Sequence, residues 1–169
     1  MRAFLLFVFL IVARPAAAGD FDYDSYTTAQ LADVSASLEI DPRVNYWFDA
    51  AHPKYHTVVT FTGNTRVVSP GVKTYIEKWV KTMGHPVAYY EMFQNEIEVK
   101  QGSSTYWLPI QQPLVAPFSR EVPANAKVHL YVLLMGALNH VTVFAVSEFN
   151  TVGLTIHSSR ARLNSGVRP

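Results

Sequence analysis

One stretch of this chain carries helical spacing without a break. Val72, Tyr75, Ile76, Trp79, Val80 and Met83 follow the i, i+3, i+4, i+7 series, and Lys73, Glu77, Lys78 and Lys81 fill the other side. Ser69-Pro70 supplies an N-cap and a first-turn proline, and Gly84 and Pro86 stop the helix. An apolar stripe of that width has to be covered, and a sheet is the surface expected to cover it. A shorter pattern puts Leu31, Val34 and Leu38 on one face behind a Thr27/Gln30 capping box, with Asp41-Pro42 as its stop. It predicts a short helix that leans on the body without forming its core.

Elsewhere the period shortens to two. His56 to Phe61 (HTVVTF) reads as a strand of β-branched residues. Gly63-Asn64 reads as a tight turn that returns Arg66 to Val68 as a short partner. Tyr46-Trp47-Phe48 fits a loop or short strand, and Val87 to Phe93 a further strand. Glu96 to Lys100 alternates polar and apolar, Gln101 to Ser104 turns, and Thr105 to Ile110 returns, with Pro109 pointing to an edge or bulge. Gln111 to Pro117 reads as a Pro-rich connection. Val128 to Met135 and Val141 to Phe149 are apolar on both alternating faces, so both faces should be covered, and Gly136 to His140 joins them as a hairpin. The expected fold is α+β: a small antiparallel barrel or strongly curled sheet packed by one amphipathic helix, with a short N-terminal helix.

The start of the chain changes where this fold is expected to work. Arg2 precedes an uninterrupted apolar run from Ala3 to Ala13, Arg14-Pro15 ends it, and Ala16-Ala17-Ala18 offers small residues to a signal peptidase. The run is too short for a membrane span of roughly 20 residues. The expectation is a signal peptide over 1–18, cleaved after Ala18, and a periplasmic or secreted single domain over 19–169, frayed at 19–26 and 160–169. The alternative is an uncleaved tether. The sequence has 14 Lys and Arg against 13 Asp and Glu; cleavage removes Arg2 and Arg14 and leaves 12 against 13. That balance argues against a nucleic-acid partner. The membrane is expected to be met only transiently, during export. Cysteine is absent, which removes lipid attachment at Cys, disulfides and thiolate chemistry.

The segments Tyr106-Trp107-Leu108-Pro109-Ile110-Gln111, Leu130-Tyr131-Val132 with Gly136, and Val146-Ser147-Glu148-Phe149 carry a resemblance. Glu96 to Phe149, about a third of the chain, is similar to exported, functionally uncharacterised proteins of Gram-negative bacteria. The resemblance implies a compact β module in the cell envelope. It implies no reaction, ligand or catalytic residue.

Candidate chemistry is sparse. There is no G-x-S-x-G elbow, no Walker A loop and no G-x-G-x-x-G fingerprint, and no cofactor is expected. Asp20, Asp22 and Asp24 open like a calcium loop, but Ser25 and Leu31 stand where its Gly and bidentate Glu belong. His52 and His56 have metal-ligand spacing for a helix, with Pro53 between them. Glu96 and Glu98 share a strand face, which allows paired-carboxylate chemistry, although the alternation reads more simply as acids toward water and Ile97 and Val99 toward the core. His129 and His140 complete the catalytic candidates. Adjacent aromatics place Tyr46, Trp47, Tyr90 and Trp107 as candidate contacts for a protein or a cell-envelope glycan. The favoured reading is a non-catalytic binding module; the rival is a small envelope hydrolase using the carboxylates or histidines.

Overall fold

A computed structural model describes residues 21–151. The expected signal peptide over 1–18, its expected cleavage point and the 160–169 tail lie outside the described residues. The elements run β1 (Thr27–Thr28), α1 (Leu31–Ser37), β2 (Tyr46–Phe48), β3 (Lys54–Val67), α2 (Pro70–Thr82), α3 (Ala88–Glu91), β4 (Asn95–Gln101), β5 (Ser104–Ile110), α4 (Gln112–Glu121), β6 (Lys127–Leu138) and β7 (Val141–Thr151). The fold is α+β. Its seven strands form one curled sheet in the order β1-β3-β4-β5-β7-β6-β2, and β3 pairs a second time, with β6. The pairings are antiparallel except β1 with β3 and the single contact of Ile110 with Val146 between β5 and β7.

The curl gives the sheet two covered faces, as the doubly apolar β6 and β7 require. On one face Val59, Phe61, Val99, Leu108, Leu130 and Val146 pack together under Leu31 and Val34 of α1 and Phe118 of α4. On the other, the α2 stripe of Tyr75, Ile76, Trp79 and Val80 lies over Met135, Val143 and Ala145. Trp79 is only 1% exposed, as the stripe predicts.

Six local expectations are corrected. Gly63-Asn64 is no turn: β3 runs straight through, and its register against β4 shifts between Phe61 and Thr65. Gly63 absorbs this bulge at φ +97°, and a Cβ there would lie 2.7 Å from that of Ala124. Val87 to Phe93 contains the short helix α3, because Tyr89 and Tyr90 donate their N–H groups to the carbonyls of Pro86 and Val87. Gln111 to Pro117 enters α4: Pro113 occupies the first turn, and the Phe118 ring is wedged 5.0 Å from both Phe61 and Phe149.

Thr27-Thr28 pairs with β3 instead of forming a capping box. The cap of α1 comes from β4. Gln101 Oε1 accepts the Leu31 N–H at 2.7 Å while its Nε2 donates to Thr57 Oγ1 at 2.7 Å and to the Val58 carbonyl at 3.0 Å. The helix ends at Ser37, ahead of Asp41-Pro42, and Leu31 is fully buried, so α1 belongs to the core. Finally, Phe21, Tyr23 and Tyr26, expected to fray, pack around Tyr131 with ring centroids 4.8–5.7 Å from it. Burying three rings on a fourth offsets the entropy of ordering this segment.

Candidate binding sites

The outward face of the β4–β5 hairpin builds the first site. The register sets Arg66 opposite Glu96, Glu96 opposite Pro109, and Glu98 opposite Trp107. Residues directly opposite share a face, so Arg66, Glu96 and Trp107 point the same way, while Ile97, Val99, Tyr106 and Leu108 face the core on the other side. These three side chains line a cleft of about 400 Å³, together with Val72 of α2, Thr105 of β5, and Leu138, Asn139 and Thr142 around the β6–β7 turn.

Glu96 is fully buried, which corrects the expectation that both acids face water. Its Oε2 accepts from Arg66 Nε at 2.7 Å. Its Oε1 has no hydrogen-bond partner among the described residues. The Arg66 side chain is 43% exposed, and its guanidinium lies over the Trp107 ring, 3.9 Å from the centroid. The stack and the ion pair fix the guanidinium plane from two sides. A buried carboxylate satisfied on one oxygen only is costly; here Glu96 is one of the residues behind the cleft wall.

Glu98, two residues on, has a different role. Thr62 Oγ1 and Asn64 Nδ2 each donate to its Oε2 at 2.7 Å. Those hydrogen bonds, Asn64 first, hold its carboxyl below the usual range. The two acids therefore have separate partners and do not act as a pair.

The histidines also separate. His52 and His56 do not converge, since Pro53 and the start of β3 replace the helix that their spacing assumes. His56 joins His129: Nε2 of the first is 2.8 Å from Nδ1 of the second, and the rings stack at 5.0 Å. Burial, then the charge of His129, pushes the His56 imidazole below its ordinary value. His140 is exposed in the β6–β7 turn at φ +66°. Among the described residues no three His, Asp or Glu side chains gather as a metal site would need. Of the aromatic candidates Trp107 lines the cleft. Tyr46 sits under the Lys78 ammonium at 3.8 Å, Trp47 lends its carbonyl to the Tyr75 hydroxyl at 2.9 Å, and Tyr90 lies 5.6 Å from the Lys73 ammonium.

His52 instead borders a second cavity of about 440 Å³, with His85, Trp79, Tyr89, Tyr26 and Lys54 among its walls. Neither cavity brings together two of Glu96, Glu98, His129 and His140. Sequence reasoning missed Arg66, read as part of a return strand, and His85, one of several histidines scattered along the chain. No local pattern marked either. Comparison with protein-family models, curated proteins and solved structures finds no match to this chain.

Proposed function

We propose that this chain is an exported, non-catalytic binding module of the cell envelope, and that the cleft at Arg66, Glu96 and Trp107 takes a hydroxyl-rich glycan. One observation carries the reading: the unpartnered, buried Oε1 of Glu96 beside an exposed guanidinium and an indole. A sugar offers hydroxyl donors for the carboxylate and acceptors for the guanidinium, and its C–H groups pack against aromatic and apolar surface. Thr105, Asn139 and Thr142 add neutral hydroxyl and amide groups that suit further hydroxyls.

The pairings β3-β4-β5-β7-β6-β3 form a ring, and we read the curled sheet as a small five-stranded barrel with β1 and β2 as additions. Five-stranded Greek-key barrels bind oligosaccharides and oligonucleotides on the face of their second and third strands, here β4 and β5. That support is fold-level analogy. The near-neutral charge favours the sugar. The export signal and the resemblance to exported Gram-negative proteins support the envelope address. The hydrolase reading lacks a cavity that gathers its candidate groups.

Calorimetric titration of the purified protein with oligosaccharides released from Gram-negative envelopes tests the proposal. Saturable binding is expected, weakened about tenfold by Glu96→Gln, as for loss of a charged hydrogen-bond partner, and abolished by Trp107→Ala. Absence of glycan binding, or binding indifferent to both changes, refutes it; capture of a protein partner through this cleft would replace it. Amino-terminal sequencing of exported material should begin at Gly19, and an intact Met1 would establish the tether instead.

A further inference from the structure

The second cavity carries an inference independent of the glycan cleft. Three of the residues that line this cavity carry buried ring nitrogens without a hydrogen-bond partner among the described residues: Trp79 Nε1, His52 Nε2 and His85 Nε2. The rings form a tight triangle, with centroids 5.2 Å apart for His52 and Trp79, 4.8 Å for Trp79 and His85, and 5.9 Å for His52 and His85. Trp79 is 1% exposed, and its N–H is shut off from bulk water. Buried polar groups of native proteins are nearly always paired, and three orphans on one cavity point to a common partner.

The chemistry of the walls selects that partner. Indole N–H donates only, and an imidazole with its hydrogen on Nε2 donates as well. The exposed Lys54 adds a cation, and no carboxylate lines the cavity. A metal ion does not suit a wall whose most buried nitrogen is an indole, which keeps its hydrogen. Gln111, Ser147, Tyr26 and Tyr89 add neutral groups that can also donate, and donors converging beside a cation with no carboxylate fit an anion. Phe21 and Tyr89 complete walls that are largely aromatic, so the anion should carry an apolar body. We propose that this cavity binds a small organic carboxylate, its oxygens accepting from Trp79, His52 and His85 and its body packed between the aromatic rings.

The test is a titration of the ¹⁵N-labelled full chain with sodium benzoate, followed at the tryptophan indole resonances. Parallel titrations use sodium phosphate and, at matched ionic strength, sodium chloride. Benzoate should shift the Trp79 indole N–H saturably, while chloride leaves it in place and the Trp107 indole stays still. His85→Gln should weaken benzoate about tenfold or more, and Lys54→Met should weaken it less, through the lost charge. If His85→Gln fails to fold, His52→Gln carries the same expectation. A Trp79 indole unmoved by benzoate overturns the proposal. So does a phosphate response equal to that of benzoate, because the aromatic walls would then contribute nothing, and so does binding indifferent to the histidine variants.

Discussion

Gly136→Ala adds one methyl group where the structure has no room for it. Gly136 lies in β6 opposite Phe48 of β2, at a register shift against β7, with φ +134°. A Cβ there would collide with the Trp47 carbonyl oxygen and lie 2.6 Å from the Tyr75 hydroxyl and 2.9 Å from Phe48 Cα. The first two atoms are the acceptor and donor of one hydrogen bond, 2.9 Å long. Tyr75 is fully buried, and burial keeps its phenol far above the ordinary range, so the hydroxyl stays protonated and needs its acceptor. The methyl group therefore wedges that bond apart or pushes β2 off the sheet. The left-handed backbone costs a non-glycine residue about 1–2 kcal/mol, and stranding a buried hydroxyl about 1–3 kcal/mol. Together they come to about 2–5 kcal/mol, a large part of the roughly 5–15 kcal/mol that holds a domain.

Urea unfolding followed by tryptophan fluorescence measures this loss. The midpoint should fall sharply with the slope unchanged. Gly102→Ala is the matched control: its φ is +59° but no atom lies within 4 Å of the added Cβ, so only the backbone cost applies. Tyr75→Phe isolates the hydrogen bond. If Gly136→Ala and Gly102→Ala agree within about 0.5 kcal/mol, a range typical of indifferent surface changes, then β2 and Tyr75 yield freely and the reasoning fails.

Three other outcomes are expected. Gln101→Ala should cost about 1–2 kcal/mol, since it uncaps α1 and strands the buried Thr57 hydroxyl, whereas Gln101→Glu keeps the cap and loses the donors; denaturant midpoints separate the two. The His56–His129 pair should make stability depend on pH: the folded state holds His56 neutral below its unfolded value of 6.5, so its contribution is complete above about pH 6.5 and is lost as acid charges the ring. Melting temperatures taken across that range should fall toward acid, and less steeply in His129→Gln. Arg66→Ala should cost about 2–3 kcal/mol, a discounted value for a half-exposed partner of a buried carboxylate, and adding Glu96→Gln should restore much of it; a double-mutant cycle that is additive refutes the coupling.

What could be read along the chain was periodicity. The α2 stripe, the Asn95–Ile110 hairpin and the Asn139-His140 turn all rest on contacts between near neighbours, and each stands in the structure close to its expected place. The misreadings arise where a distant residue decides the local form. Gly63 bulges against Ala124 instead of turning, α1 takes its cap from Gln101, and Phe118 turns a proline-rich stretch into a helix by filling the space between Phe61 and Phe149. The candidate sites divide the same way. Trp107 and Glu96 were visible as an aromatic and an acid on alternating strands. Their partner Arg66 lies 30 residues before Glu96, and His85 meets His52 only because α2 and the approach to β3 share one face of the sheet.

The double pairing of β3 also bears on when the protein can fold. Lys54 to Thr60 finds its second neighbour in Lys127 to Leu133, and β2 waits for the far end of the same strand. Until β6 emerges, β3 has one open side and β2 has no neighbour at all. Closing such distant segments makes for slow folding, and no early fragment can complete either core. β6 is the strand that joins β2, β3 and β7, and both cores depend on it.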